Sequence, residues 1–202
     1  MTARQSAALG FSVHTGWAAL VAVSVPAAGE IALLDRRRIV MIPDSDREES
    51  RFVYHAAREL ELPEAERRVR SSSERARRNA REAVEAAMKE LGGGGQRVIA
   101  SGLVGGGRPP AGSLEAILKS HSLVHAAEGA LFREAIRAAS EALELRTTEV
   151  RSKELAERAA RRLGLSTAKL ETLLARVGHE AGPPWAKDQR DACLAAVVAL
   201  PG

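Results

Sequence analysis

The polar side chains with the most suggestive spacing in this 202-residue chain fall in a stretch of helical periodicity at residues 113–143. His121, His125 and Glu128 stand at i, i+4 and i+7. Leu114, Ile117, Leu118, Phe132, Ala135, Ile136 and Ala139 mark the same face as apolar. Two imidazoles one turn apart can hold a transition metal, and a carboxylate beside them can orient a ring or carry a proton. A buried, internally satisfied network is the structural alternative, because each polar group there needs a partner against desolvation. A contact to substrate or nucleic acid is the third reading.

A second set lies in "AKDQRDACLAAVVAL" near the C-terminus. Asp191 shares a helix face with Leu194 and Val198, so it calls for a cation or a donor. Asp188, one turn earlier, fits a helix cap or a salt bridge, or a second acid reaching the same region. A third set is electrostatic. Residues 67–81 hold seven arginines against one acid, Glu74; the rest of the chain, with 23 basic and 25 acidic side chains, is slightly negative although the net charge is +4. Val69, Ala76, Ala80, Ala83, Ala87 and Leu91 make the apolar stripe of that helix. Arg67, Arg68, Arg70, Arg75, Arg77, Arg78 and Arg81 fan over its other side. A solvated amphipathic helix satisfies this pattern, and so does a polyanion-binding surface, since clustered arginines neutralise phosphates. Aromatic interleaving is nearly absent, which argues against stacking on single-stranded bases.

Other candidates carry less. "GLVGGGRPPAG" lacks the Gly-Lys-Ser/Thr ending of a phosphate-binding loop and reads as a mobile loop with Arg108 as its charged reach. Ser12 and Ser101 have no convincing catalytic base in the sequence.

These residues need elements to position them. Residues 9–14 alternate, with Leu9, Phe11 and Val13 opposite Gly10 and Ser12, and read as a strand. Thr15 and Gly16 turn the chain into a second strand over 17–25, and a third covers 31–42, bent around 35–38. Short loops make these three an antiparallel meander. Helix is expected over 47–62 and, after Pro63, over 64–91, ended by "GGGG". A fourth strand covers 96–104, helix 113–143, a fifth strand 146–150, and helices 153–163, 166–177 and 185–200. The expected architecture is α/β: a five-stranded mixed sheet with helices on both faces, in a single domain over 1–202 with a helical insertion at about 44–92.

Composition sets the remaining bounds. Apolar residues at 45% supply a core, but aromatics at 3% leave its filling to Ala, Leu and Val. The lone cysteine, Cys193, excludes an intrachain disulfide and points to a reducing, cytoplasmic setting. The apolar N-terminal stretch could pass for a secretory signal, but Ser12, His14 and Thr15 interrupt it and residues 30–42 continue it as a partner strand. No stretch is apolar for long enough to span a membrane.

With these elements in place, "GFSVHTGWAAL", "RVIASGL" and "KDQRDACLAAVVAL" together resemble the ribonuclease H-like superfamily, and within it most nearly the Holliday junction resolvases. The resemblance covers most of the chain. It implies that acids from the first strand, the fourth strand and the last helix hold two magnesium ions against a phosphodiester. Carried over by position, the first acid falls on Ser12 and the second on Ser101; Asp188 and Asp191 match the terminal pair. Magnesium needs hard oxygen ligands, usually carboxylates, and a two-metal clamp needs charge on both sides of the phosphate. The implied function is therefore a resolvase-like module with a degenerate metal site and no cofactor, binding nucleic acid through residues 67–81 or serving as a scaffold. Ser12, His14, Ser101, His121, His125 and the seven arginines are its candidate binding residues. One alternative is a metal-dependent nuclease with relocated ligands among His14, His125, Glu128, Asp188 and Asp191. It would use Mg²⁺ or Mn²⁺, or zinc, with His125, Glu128 and Asp191 as the metal candidates and Glu128, Asp188 and Asp191 as the catalytic ones. The other is an oligomeric structural protein whose long helix packs on a protein partner.

Overall fold

The computed structural model describes residues 5–43, 51–105 and 109–201. Strands β1 (Gln5–His14), β2 (Trp17–Ser24) and β3 (Ala32–Val40) form an antiparallel meander. Helices α1 (Val53–Ala57) and α2 (Leu62–Gly93) lead to β4 (Gln96–Val104). After α3 (Leu114–Lys119) and α4 (His121–Ala142) come β5 (Arg146–Val150) and helices α5 (Ser152–Leu163), α6 (Thr167–Ala181) and α7 (Lys187–Ala199). The sheet order is β3-β2-β1-β4-β5, with β4 parallel to both β1 and β5. This is the five-stranded mixed sheet expected from the sequence.

The central strands read as nearly continuous apolar runs because helices cover both sheet faces. On one face Leu9, Phe11, Leu20 and Leu103 pack against α1, α2 and α4. On the other, Ala8, Val21, Val23 and Ala100 meet α5, α6 and α7. The edge strand β3 is half-exposed and carries three consecutive arginines, charges that discourage edge-to-edge association. Its distortion is a one-residue irregularity opposite Ala22 and Val23, which leaves Leu34 out of the pairing register.

Helix α7 lies unusually close to the sheet. A methyl group placed on Gly10 would stand 1.8 Å from the Ala192 carbonyl oxygen, and one on Gly102 would stand 2.0 Å from that of Ala195. Glycine in β1 and β4 facing alanine on α7 lets the two backbones meet. Cys193 is fully buried in this layer, and burial pushes its thiol up to about 12. A thiol so protonated and so covered is unreactive. A disulfide reagent at pH 8 should therefore modify no cysteine in the native protein and one equivalent after unfolding, read by absorbance; fast native labelling would contradict this packing.

Two expectations change. The helix expected over 113–143 is broken at Ser120, whose extended backbone separates α3 from α4. Its hydroxyl accepts from the Leu123 amide and so caps the second helix. His121 and His125 keep the phase of Phe132 and Ala135, but they lie in the first turns of α4, ahead of Leu131 where the helix joins the sheet-side core, and so they are exposed, while Glu128 stays buried. In the stretch expected to be a helical insertion, regular helix occupies α1 and α2; residues 44–50 lie outside the described residues. So does Arg108. Among the described residues, no helix is long and apolar enough to cross a membrane.

Candidate functional site

The end of β1 and the first turn of α7 form one polar cluster. Ser12 lies on the α7 side of the sheet, two residues beyond Gly10, and its hydroxyl donates to Asp188 Oδ1 at 3.2 Å. His14, two residues further, points the same way because strand side chains alternate. Its Nε2 lies 2.9 Å from the same Oδ1. The ring edge is not aligned for a good hydrogen bond, so this is an ion-pair contact when the imidazole is charged. The tight turn after β1 sets His14 across from Trp17. Their rings stack at 4.3 Å between centroids with a 10° interplanar angle. The Arg38 guanidinium lies 4.5 Å from the Trp17 ring centroid, a cation–π contact. Register explains this as well: Arg38 pairs with Ala19, two residues along the same face from Trp17. Sequence reasoning missed Trp17 and Arg38, although the hairpin spacing around Thr15 and Gly16 was a usable signal.

Asp191 belongs elsewhere. It ion-pairs with Lys187, one turn back on its own helix, which supplies the cation its apolar face required. It lines a cleft of about 330 Å³ with Ser152, Leu155, Trp185, Lys187 and Arg190. Ser101 is also displaced from the expected pocket. It is fully buried on the α2 and α4 side of the sheet, where its hydroxyl shares a 2.9 Å hydrogen bond with Thr147. The residue in register with Ser12 on β4 is Val104. A period of two decides the point: Ala100 and Gly102 face α7, so Ser101 faces away.

The third set gathers on the opposite helical layer. Glu128 accepts hydrogen bonds from the amides of Tyr54 at 2.7 Å and His55 at 3.1 Å, the first-turn donors of α1. The His55 Nδ1 lies 3.3 Å from the same Oε1. The other oxygen, Oε2, is buried without a partner among the described residues. Burial raises the Glu128 carboxyl above its ordinary value, opposed by these hydrogen bonds and by the His55 charge. Burial, and then the Glu128 charge, raises the Tyr54 hydroxyl as well. His121 and His125 close the group with their Nε2 atoms 3.2 Å apart. Partial desolvation, then the neighbouring His121 and His55, holds His125 below the usual imidazole value. His55 was missed by sequence reasoning, and no local signal marked it: its partner is 73 residues away.

The set His125, Glu128 and Asp191 is thus not assembled, because α4 and α7 cover opposite faces of the sheet. For the same reason His125 and Glu128 do not join His14, Asp188 and Asp191 as relocated ligands. Among the described residues, the group of three or more potential ligands whose donor atoms lie within 4.8 Å of one another is His55, His121 and His125.

Along α2, Arg67, Arg70, Arg77, Arg78 and Arg81 are exposed, and Arg68 and Arg75 are half-buried. Arg77 lies 3.9 Å from Glu134, and Arg68 and Arg75 also interact within the fold. Arg67, Arg70, Arg78 and Arg81 are therefore the clearest cationic face of the helix.

Neither a protein-family model nor a curated protein matches this sequence. Among solved structures, the chain is similar to that described as T. thermophilus RuvC in complex with Holliday junction substrate. The TM-score is 0.52 at 10% identity, over 95% of this chain and 91% of that one. The fold is ribonuclease H-like. A second Thermus thermophilus RuvC structure gives a TM-score of 0.49 at 10% identity, over 95% and 92% of the two chains. At such identity the likeness establishes the RuvC-like architecture alone, so the chemistry must be argued from the side chains.

Proposed function

We propose that this chain is a RuvC-like module without the two-metal centre, which binds nucleic acid and does not cleave it. The observation that carries the reading is the occupancy of the β1 tip. Ser12, where the resemblance implies an acid, donates its proton to Asp188, and His14 shares that carboxylate oxygen. The facing position on β4 is Val104. The carboxylate that contacts this strand end, Asp188, is already partnered by Ser12 and His14, and Asp191 is ion-paired with Lys187, where two magnesium ions would need several free oxygen ligands. The cationic face of α2 supplies a surface for phosphates.

The test is fluorescence anisotropy with four-way junction, duplex and single-stranded DNA across a salt series, alongside cleavage assays with Mg²⁺ and Mn²⁺. Binding that weakens with salt, without cleavage, is the expected result. No binding at low salt would remove the nucleic-acid assignment. Cleavage abolished by Asp188→Asn would show an active centre at the β1 tip.

A gain-of-site substitution probes the same geometry. Ser12→Asp removes a donor and sets a second carboxylate against Asp188. Two like charges about 4 Å apart cost roughly 4 kcal/mol at a surface-like dielectric, and the partial exposure of Asp188 reduces this to about 2 kcal/mol. The variant should melt lower than wild type without metal and recover on adding millimolar Mg²⁺, while wild type does not respond. A variant that ignores Mg²⁺ would mean that the two positions cannot share an ion.

A further inference from the structure

We propose that His55, His121 and His125 form a binding site for one divalent transition-metal ion of the zinc class. The site touches none of the residues at the β1 tip and is independent of the reading above.

The geometry fits in three respects. His121 and His125 stand one turn apart on α4 with Nε2 atoms separated by 3.2 Å. Two nitrogens bound tetrahedrally to zinc at about 2.0–2.1 Å are roughly 3.3–3.4 Å apart, so this pair is set for chelation with little adjustment. His55 comes from a different helix, and the three donor atoms lie within 4.8 Å of one another. Its Nδ1 faces Glu128 Oε1 at 3.3 Å. A neutral ring that donates its proton there keeps the lone pair on Nε2 for a metal. Carboxylates commonly hold metal-bound histidines in this way, fixing the tautomer and raising the basicity of the ligating nitrogen. Glu128 is itself fixed by two α1 amides, so its part is to hold His55 in place.

The donor set selects the ion. Three imidazoles without a carboxylate suit zinc, copper, nickel or cobalt and are poor ligands for magnesium or calcium. Solvent access sets the coordination. His121 and His125 are exposed and the His55 side chain is 31% exposed, which leaves a position open to water or a small ligand. A bound ion would tie α1, only five residues long, to the start of α4.

The competing explanation is a packing cluster without a metal. The three rings already meet edge to face, with centroids 4.4 Å apart for His121 and His125 and 4.7 Å for His55 and His125. Tag-free full-length protein, stripped with chelator, separates the two by titration with Zn²⁺ in calorimetry and with Co²⁺ by visible absorption. One equivalent of saturable binding, a four-coordinate cobalt spectrum and a higher melting temperature with zinc are expected. His125→Asn, an exposed change that leaves the circular dichroism spectrum intact, should abolish all three. Glu128→Gln should weaken zinc binding about 10–100-fold, and His14→Asn should leave it unchanged. The proposal is overturned if stripped protein takes up no zinc at micromolar concentrations, or if His125→Asn binds as wild type does.

Discussion

One methyl group at Gly102 is expected to remove about 3–5 kcal/mol of stability, a large share of the roughly 5–15 kcal/mol typical of a folded domain. Overpacking usually costs about 1–3 kcal/mol, because side chains can turn aside. Here the obstacle is backbone: the Cβ of Gly102→Ala would stand 2.0 Å from the Ala195 carbonyl oxygen and 2.4 Å from its carbon. Relief requires all of α7 to lift from the sheet, and α7 covers the central strands with Ala192, Ala195, Ala196 and Ala199, all fully buried. Gly10→Ala meets the Ala192 oxygen at 1.8 Å and should behave alike. Gly92→Ala is the control. No atom lies within 4 Å of its Cβ, and it sits near the end of α2, so it should gain up to about 1 kcal/mol. Urea denaturation measures all three. A Gly102→Ala variant with an unchanged midpoint would show that α7 is not seated as described. Because α7 also carries Asp188, lifting it should separate the carboxylate from Ser12.

The second large effect concerns binding. Replacing Arg67, Arg70, Arg78 and Arg81 together by alanine should flatten the salt dependence of duplex binding. If each arginine neutralises one phosphate, the slope of log affinity against log salt becomes shallower by about 3.6. Between 50 and 200 mM salt, wild type should then lose about 100-fold more affinity than the variant. Stability should hardly move, since these side chains are exposed and exposed substitutions typically stay within about 0.5 kcal/mol. The other three arginines of the segment are left in place because they have interactions within the fold. An unchanged slope in the quadruple variant would locate any phosphate contacts off α2.

How much of this was legible depended on the range of the interaction concerned. The β1 alternation of Leu9 and Phe11 with Gly10 and Ser12 is a local pattern, and it placed Ser12 on the correct side of the sheet. Arg146 to Val150 read as a strand and is β5. Asp191 on an apolar face announced its need for a cation, which Lys187 meets one turn away. In contrast, Ser120 was absorbed into a longer helix. Its capping role depends on a single extended residue, which periodicity over a wide window averages out. The exposure of His121 and His125 has another cause: they share the phase of Phe132 but sit in the first turns of α4, ahead of Leu131 where the helix joins the sheet-side core.

The sequence by itself determined the order of strands and helices, the concentration of arginine on one helix and the serine at the end of β1. Each depends on neighbours within a few residues and on the fixed periods of strand and helix. Only the tertiary structure decided that Ser101 turns away from Ser12, that Asp191 and Glu128 lie on opposite sides of the sheet, and that His55 meets His121 and His125. Those outcomes depend on pairing register and on which face each helix covers, and long-range packing fixes both.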